Sequence, residues 1–251
     1  MERAQGILYA ALSSSTFGLA PLFTLLLLAG GYSPFEALSY RWGVAALFLG
    51  VLAVFSGRSF RLGLRELVTV FLLSLIIAYQ HIASGVASTI HFMYPLAVAL
   101  AMMCFFREKG SAWVFAAIGM SVVGAVLLSL GNVDFTVENS ALGMVSACVS
   151  VFSYGGYIVG VRKSRAVEID SAVLTCYVMG LGALYFILGG LLTGGVRIET
   201  DGMTWLCILG LALPATALSN MTLVQAIKRI GPTLTSIFGA LEPLTAVVIG
   251  V

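Results

Sequence analysis

Between Arg3 and Glu36 the chain has no Asp, Glu, Lys or Arg, and the same holds for residues 42–57, 67–106 and 202–227. Wound as an α-helix at about 1.5 Å per residue, a run of about 20 apolar residues spans a hydrocarbon core about 30 Å thick. Membrane β-barrels instead use alternating strands of about 10 residues. Of 251 residues, 60% are hydrophobic and 10% charged, against roughly 25% charged in soluble domains. Polar groups are too few to cover the surface in water, and in lipid the backbone must satisfy its own hydrogen bonds. The fold class is therefore all-α, a polytopic helical membrane protein.

Several function classes are disfavoured at once. The net charge is only +2, with the basic residues in short clusters between apolar runs, so no nucleic-acid partner is expected. Cys104, Cys148, Cys176 and Cys207 lie in apolar runs without a CxxC pair, the pattern of buried thiols rather than a disulfide or zinc site. His81 and His91 are ten apart and on different helix faces, so no metal pair is expected. HExxH, GxSxG, P-loop and GxGxxG motifs are absent, which leaves no basis for an enzyme, a cofactor or an ATP-driven pump. The amino-terminal apolar run is too long for a cleaved signal and reads as a retained helix.

The apolar runs predict helices near 6–28, 35–56, 66–80, 85–106, 111–130, 141–161, 171–192, 203–227 and 231–251. With a cytoplasmic amino terminus, Arg3, Arg58, Arg61, Arg65, Arg107, Lys109, Arg162, Lys163, Arg165, Lys228 and Arg229 face inward, leaving Arg41 and Arg197 outside. That asymmetry is the positive-inside signature.

The halves repeat. Gly6, Ala10, Ser13 and Gly18 match Gly143, Ala147, Ser150 and Gly155, while Ile82, Ser88, Pro95 and Leu96 match Ile230, Ser236, Pro243 and Leu244. An odd number of helices per half inverts the second against the first, giving two inverted five-helix repeats over residues 1–132 and 133–251. The two offsets, 137 and 148, differ by 11 residues, and the apolar run from Leu67 to Ala78 is short. Helix 3 is therefore expected to be short, lacking about 11 residues. By the same symmetry a tenth helix of about 20 residues is expected after Val251, so about nine of ten helices are present.

Glu242 and Pro243 lie in an otherwise uncharged run, 13 residues beyond Arg229, so about 20 Å along the helix and near the bilayer midplane. A charged acid there costs about 2.5–3.5 kcal/mol unless it faces a cavity, a partner or is protonated. Pro243 frees a backbone carbonyl beside it. The functional reading is a substrate-ammonium or proton site, against a neutral acid bonded for packing. Its mate in the first half is Tyr94, followed by Pro95, with Ser84, Ser88 and His91 on one face of that helix. His91 suits proton coupling, against a neutral histidine bonded across an interface. Ser150, Ser153, Tyr154 and Tyr157 form a second polar face, matched by Ser14 in the first half; cavity lining and interhelical bonding are both open. Asn220 and Gln80 are lone polar residues with the same ambiguity. Arg41, just inside the outer end of helix 2, is expected to snorkel as an anchor rather than bind an anion. Pro21, Pro95, Pro214 and Pro243 are the hinge candidates.

The segments "LSYRWGVAALFL", "IASGVASTIHFMYPLAVALAMMCFFREK" and "FGALEPLTAVVIGV" resemble, in order and spacing, the EamA-type branch of the drug/metabolite transporter superfamily. The resemblance implies a ten-helix carrier with cytoplasmic termini in the cytoplasmic (inner) membrane. It also implies alternating access and a small-molecule substrate, an amino acid, amine or other small polar metabolite, often moved outward. A channel-like or facilitative pore is the alternative reading, and the oligomeric state is left open.

Overall fold

The computed structural model describes residues 1–83, 91–129 and 141–250. They form helices, with no strand among the described residues. Among the described residues five spans are long and apolar enough to cross a membrane: Glu2–Ala29, Pro34–Phe55, Val145–Lys163, Ser171–Thr193 and Gly202–Ile230. The first comprises α1 (Glu2–Phe17) and α2 (Ala20–Ala29); α3 (Pro34–Phe55), α4 (Leu64–Ala83), α5 (Tyr94–Phe106) and α6 (Ala112–Ser129) follow. The second half has α7 (Ala141–Lys163), α8 (Ser171–Thr193), α9 (Gly202–Ala212), a π-helical segment Leu213–Leu218, α10 (Ser219–Ile230), α11 (Pro232–Ile237), a 3₁₀ turn Phe238–Ala240 and α12 (Leu241–Val248).

The repeat is visible in how corresponding helices start. Ser33 caps α3 in a full capping box: its Oγ accepts from Glu36 N at 3.2 Å, and Glu36 Oε2 accepts from Ser33 N at 2.8 Å. Asp170, 137 residues on, caps α8 by accepting from Ala172 N at 2.9 Å. Both caps satisfy donors that a helix start otherwise leaves unpaired.

α3 and α8 pack along their lengths as the central seam of the bundle. Trp42 is fully buried there, edge-on to Phe186 at 5.1 Å between ring centroids. Gly182 lets the indole lie against bare backbone, since a Cβ at that position would overlap the ring. The two helices run antiparallel. At one end the connection after α8 meets the start of α3, where Arg197 N and Nε both donate to Glu36 Oε1, at 3.0 and 3.1 Å. At the other end Arg58, after α3, pairs with Asp170 at the start of α8, at 3.4 Å. The equivalent caps Ser33 and Asp170 therefore lie at opposite ends of the bundle, and the second repeat is inverted relative to the first.

The same symmetry governs the crossings. α1 packs on α10 as α7 packs on α4, and α5 meets α11 near the axis of the pair. Gly18 backs onto Thr245, and its mate Gly155 backs onto Ala97, the mate of Thr245. Small residues at these sites bring backbones into contact, which in lipid is a main source of helix association.

Helix 3 is the shorter member of its pair, as expected, yet it does not fall short of a span. α4 runs unbroken over 20 residues, about 30 Å and enough to span, although it is shorter than the 29-residue Gly202–Ile230. The apolar run stops at Ala78, but the helix continues because its backbone pairs internally whatever the side chains. His81 is accommodated edge-on to Trp42 at 4.9 Å, with Nδ1 at 3.0 Å from Ile77 O.

The Glu36 end is also aromatic: Arg197 lies over the Tyr32 ring at 4.3 Å, and Tyr40 Oη donates to Arg197 O at 2.5 Å. Replacing Arg197 by alanine is expected to free residues 194–201 while leaving the spans intact. Hydrogen exchange that accelerates in that segment alone is the confirming result; no change would show that the aromatic contacts hold it unaided.

Candidate functional site

Each of the four hinge candidates lies at a departure from α-helical geometry. α1 and α2 part at Gly18 and Leu19, two residues before Pro21. Turn residues Phe92 and Met93 precede Pro95, the Phe238–Ala240 3₁₀ turn precedes Pro243, and Pro214 opens the π-helical segment. The cause is common to all: proline lacks an N–H and its ring crowds the carbonyl four residues back. Around Pro214 the carbonyls find side-chain donors instead. Thr216 Oγ1 donates to Leu211 O at 2.7 Å and Asn220 Nδ2 to Thr216 O at 2.9 Å, as a helix in lipid requires.

The Pro95 and Pro243 breaks meet. Tyr94 is 3% exposed, and its hydroxyl rests on Gly239 where a Cβ would collide. Glu242, one turn further along, is half-buried. Gly18 approaches the carbonyl of Glu242 so closely that a Cβ there would stand 2.6 Å from it. Glu242 lies within electrostatic reach of Arg41 on one side and of the Tyr94 and Tyr154 hydroxyls on the other.

Opposite the acid, residues from α5 and α7 form an aromatic wall. The Tyr94 and Tyr154 rings meet edge to face at 4.6 Å, and His91 stacks at a tilt against both, at 5.5 and 5.4 Å. Buried His91 bonds through Nδ1 to Ser150 Oγ at 3.0 Å. Glu242, His91, Tyr94 and Tyr154 thus converge. Other expected residues do not. Asn220 is spent on its own helix, and Ser14 is buried in α1 with its carbonyl accepting from Gly18 N at 3.1 Å. Tyr157 is fully buried on α7, its hydroxyl without a partner. Ser84 and Ser88 lie outside the described residues.

Arg41 corrects the anchoring expectation. It is 6% exposed rather than snorkelled, with Nε donating to Thr216 Oγ1 at 2.6 Å and the guanidinium over the Phe17 ring at 5.1 Å. The missed signal was its distance from the cap: eight residues beyond Ser33 is about 12 Å into the helix, deep for a side chain meant to reach the interface. Phe17 and Thr216 carried no sequence signal of their own. Two surface grooves, about 750 Å³ between α3 and α8 and about 530 Å³ between α5 and α7, contain none of these residues and are mainly apolar, with Lys163 and Ser164 at the second. Apolar seams facing lipid need no polar cargo to explain them, whereas a carboxylate, a guanidinium and three tyrosine or histidine rings gathered at helix breaks are costly unless used.

Comparison with known proteins gives three results. No curated protein matches the sequence. A solved structure, titled only as the crystal structure of a protein, is 18% identical and superposes with a TM-score of 0.78 over 99% of this chain and 86% of its own. At that identity the likeness concerns the fold alone. The model of the EamA-like transporter family matches twice, over residues 4–130 and 141–251. Nearly every residue falls within one of the two matches, and the chain belongs to the EamA-like transporter family.

Proposed function

We propose that the protein is a secondary carrier for a small polar metabolite, working by alternating access across the cytoplasmic membrane with its amino terminus inside. Residues 1–132 and 133–251 act as the two rocking halves. Glu242 is the coupling or substrate-binding acid, faced by Tyr94, Tyr154 and His91, and export is the direction assigned. The observation that carries the reading is a half-buried carboxylate at a proline break in one half, against a tyrosine at the matching break in the other. Such sites let cargo exchange protein dipoles for water midway across. The inward cluster of Lys and Arg supports the orientation.

Counterflow in liposomes tests the carrier. Reconstituted protein preloaded with unlabelled metabolite is expected to accelerate uptake of the labelled compound and to saturate. Flux that rises linearly with concentration and ignores internal substrate would instead identify a pore.

A further inference from the structure

Arg41 is a buried charge at the site whose hydrogen bonding is incomplete. Nε is satisfied by Thr216 and one guanidinium face by Phe17, yet Nη2 is buried without a partner among the described residues. The charged and titratable groups facing it are Glu242 from α12 and His81 from α4. Glu242 makes no ion pair with it within 4.0 Å, the ion pairs among the described residues being Arg58–Asp170 and Arg197–Glu36. His81 Nδ1 is already placed against Ile77 O.

A guanidinium taken out of water loses several kcal/mol of hydration, which an aromatic face and one hydroxyl recover only in part. Its planar fork matches a carboxylate better than a point charge would, because two parallel N–H donors meet two oxygens. Thr216 holds Nε from a π-helical segment, a local geometry that recurs at functional sites. Fixed at Nε and against Phe17, the guanidinium is oriented before any ligand arrives, which reduces the ordering cost of binding.

We infer that Arg41 is the anion-recognition group of the transport site, and that the cargo presents a carboxylate to its open Nη2. This rests on the carrier reading and narrows its substrate class to small carboxylate-bearing solutes. Uncharged solutes and simple amines lack the oxyanion and leave the buried guanidinium unpaired. A second group on the cargo, donating toward Glu242, completes the match without placing two bare anions side by side.

The test uses matched pairs: butanoate with butanamide, 4-aminobutanoate with its amide, and succinate with succinamide, at equal concentration and ionic strength. Thermal unfolding of the purified full chain in detergent reads binding without requiring transport. At least one carboxylate is expected to raise the midpoint, with an apparent affinity at least about tenfold above that of its amide. Arg41→Gln is expected to erase that preference. Arg41→Lys keeps the charge without the fork, is the second variant should the glutamine form fail to fold, and is expected to lose most of the preference. Equal stabilisation by acid and amide in the wild type, or a preference that survives both substitutions, overturns the inference. Carboxylate preference that depends on Arg41, with no counterflow of any bound compound, would uphold the anion site and overturn the carrier.

Discussion

Glu242→Gln is expected to lower cargo flux by about 10- to 100-fold, the range of a coupling free energy between two ligands at one site. The variant should still insert and unfold near the wild-type temperature, because glutamine keeps the shape and the hydrogen-bonding capacity. What it loses is the ability to change charge while facing Arg41, Tyr94 and Tyr154. Any residual flux should therefore be flat between about pH 5 and 8, with no coupled proton movement detectable by an entrapped pH dye. Wild-type flux with wild-type pH dependence in this variant would show that the acid serves packing alone. Glu242→Asp separates the alternatives: it retains the charge change but shortens the reach, so pH dependence should persist at reduced rate.

Gly182→Ala should be strongly disruptive. The added Cβ overlaps the Trp42 ring, and Trp42 is fully buried between α3 and α8, so neither side has room to yield. Overpacking of this kind costs about 1–3 kcal/mol, and here it falls on the seam that joins the two halves. The expected results are a lower unfolding midpoint and a smaller folded yield. Trp42→Phe in the same chain removes part of the obstructing ring and should recover stability, so that the double variant is less damaged than the two losses added together. Strict additivity would mean that the contact is looser than the geometry indicates.

The sequence was informative where a single residue has a local, compulsory effect. The breaks before Pro95 and Pro243 follow from a missing N–H. Inversion was legible because charge asymmetry and helix parity are properties of the whole chain. Where hydropathy stood in for geometry, reading failed. α4 was expected to be too short to span because the repeat offsets differ by 11 residues and the apolar run ends at Ala78, although a helix depends on its backbone and His81 has an aromatic niche against Trp42. Arg41 was assigned to the interface because its position near a helix end was visible, while the facing partners Thr216 and Phe17, 175 and 24 residues away in sequence, were not. Asn220, a polar residue in an apolar run, donates to the carbonyl of Thr216.

The paired glycines Gly18 and Gly155 show how far the two halves have diverged. Each seats its helix against the same position of the opposite repeat, Thr245 in one case and Ala97 in the other, yet only the first seat adjoins the acid. The two seats differ in tightness: a Cβ at Gly18 would stand 2.6 Å from the Glu242 carbonyl and 2.7 Å from Thr245, whereas one at Gly155 would stand 3.4 Å from Val98 and 3.7 Å from Ala97. One crossing is thus closed to even a methyl while its mate has room for one, so duplication has preserved the positions and relaxed the fit on one side only.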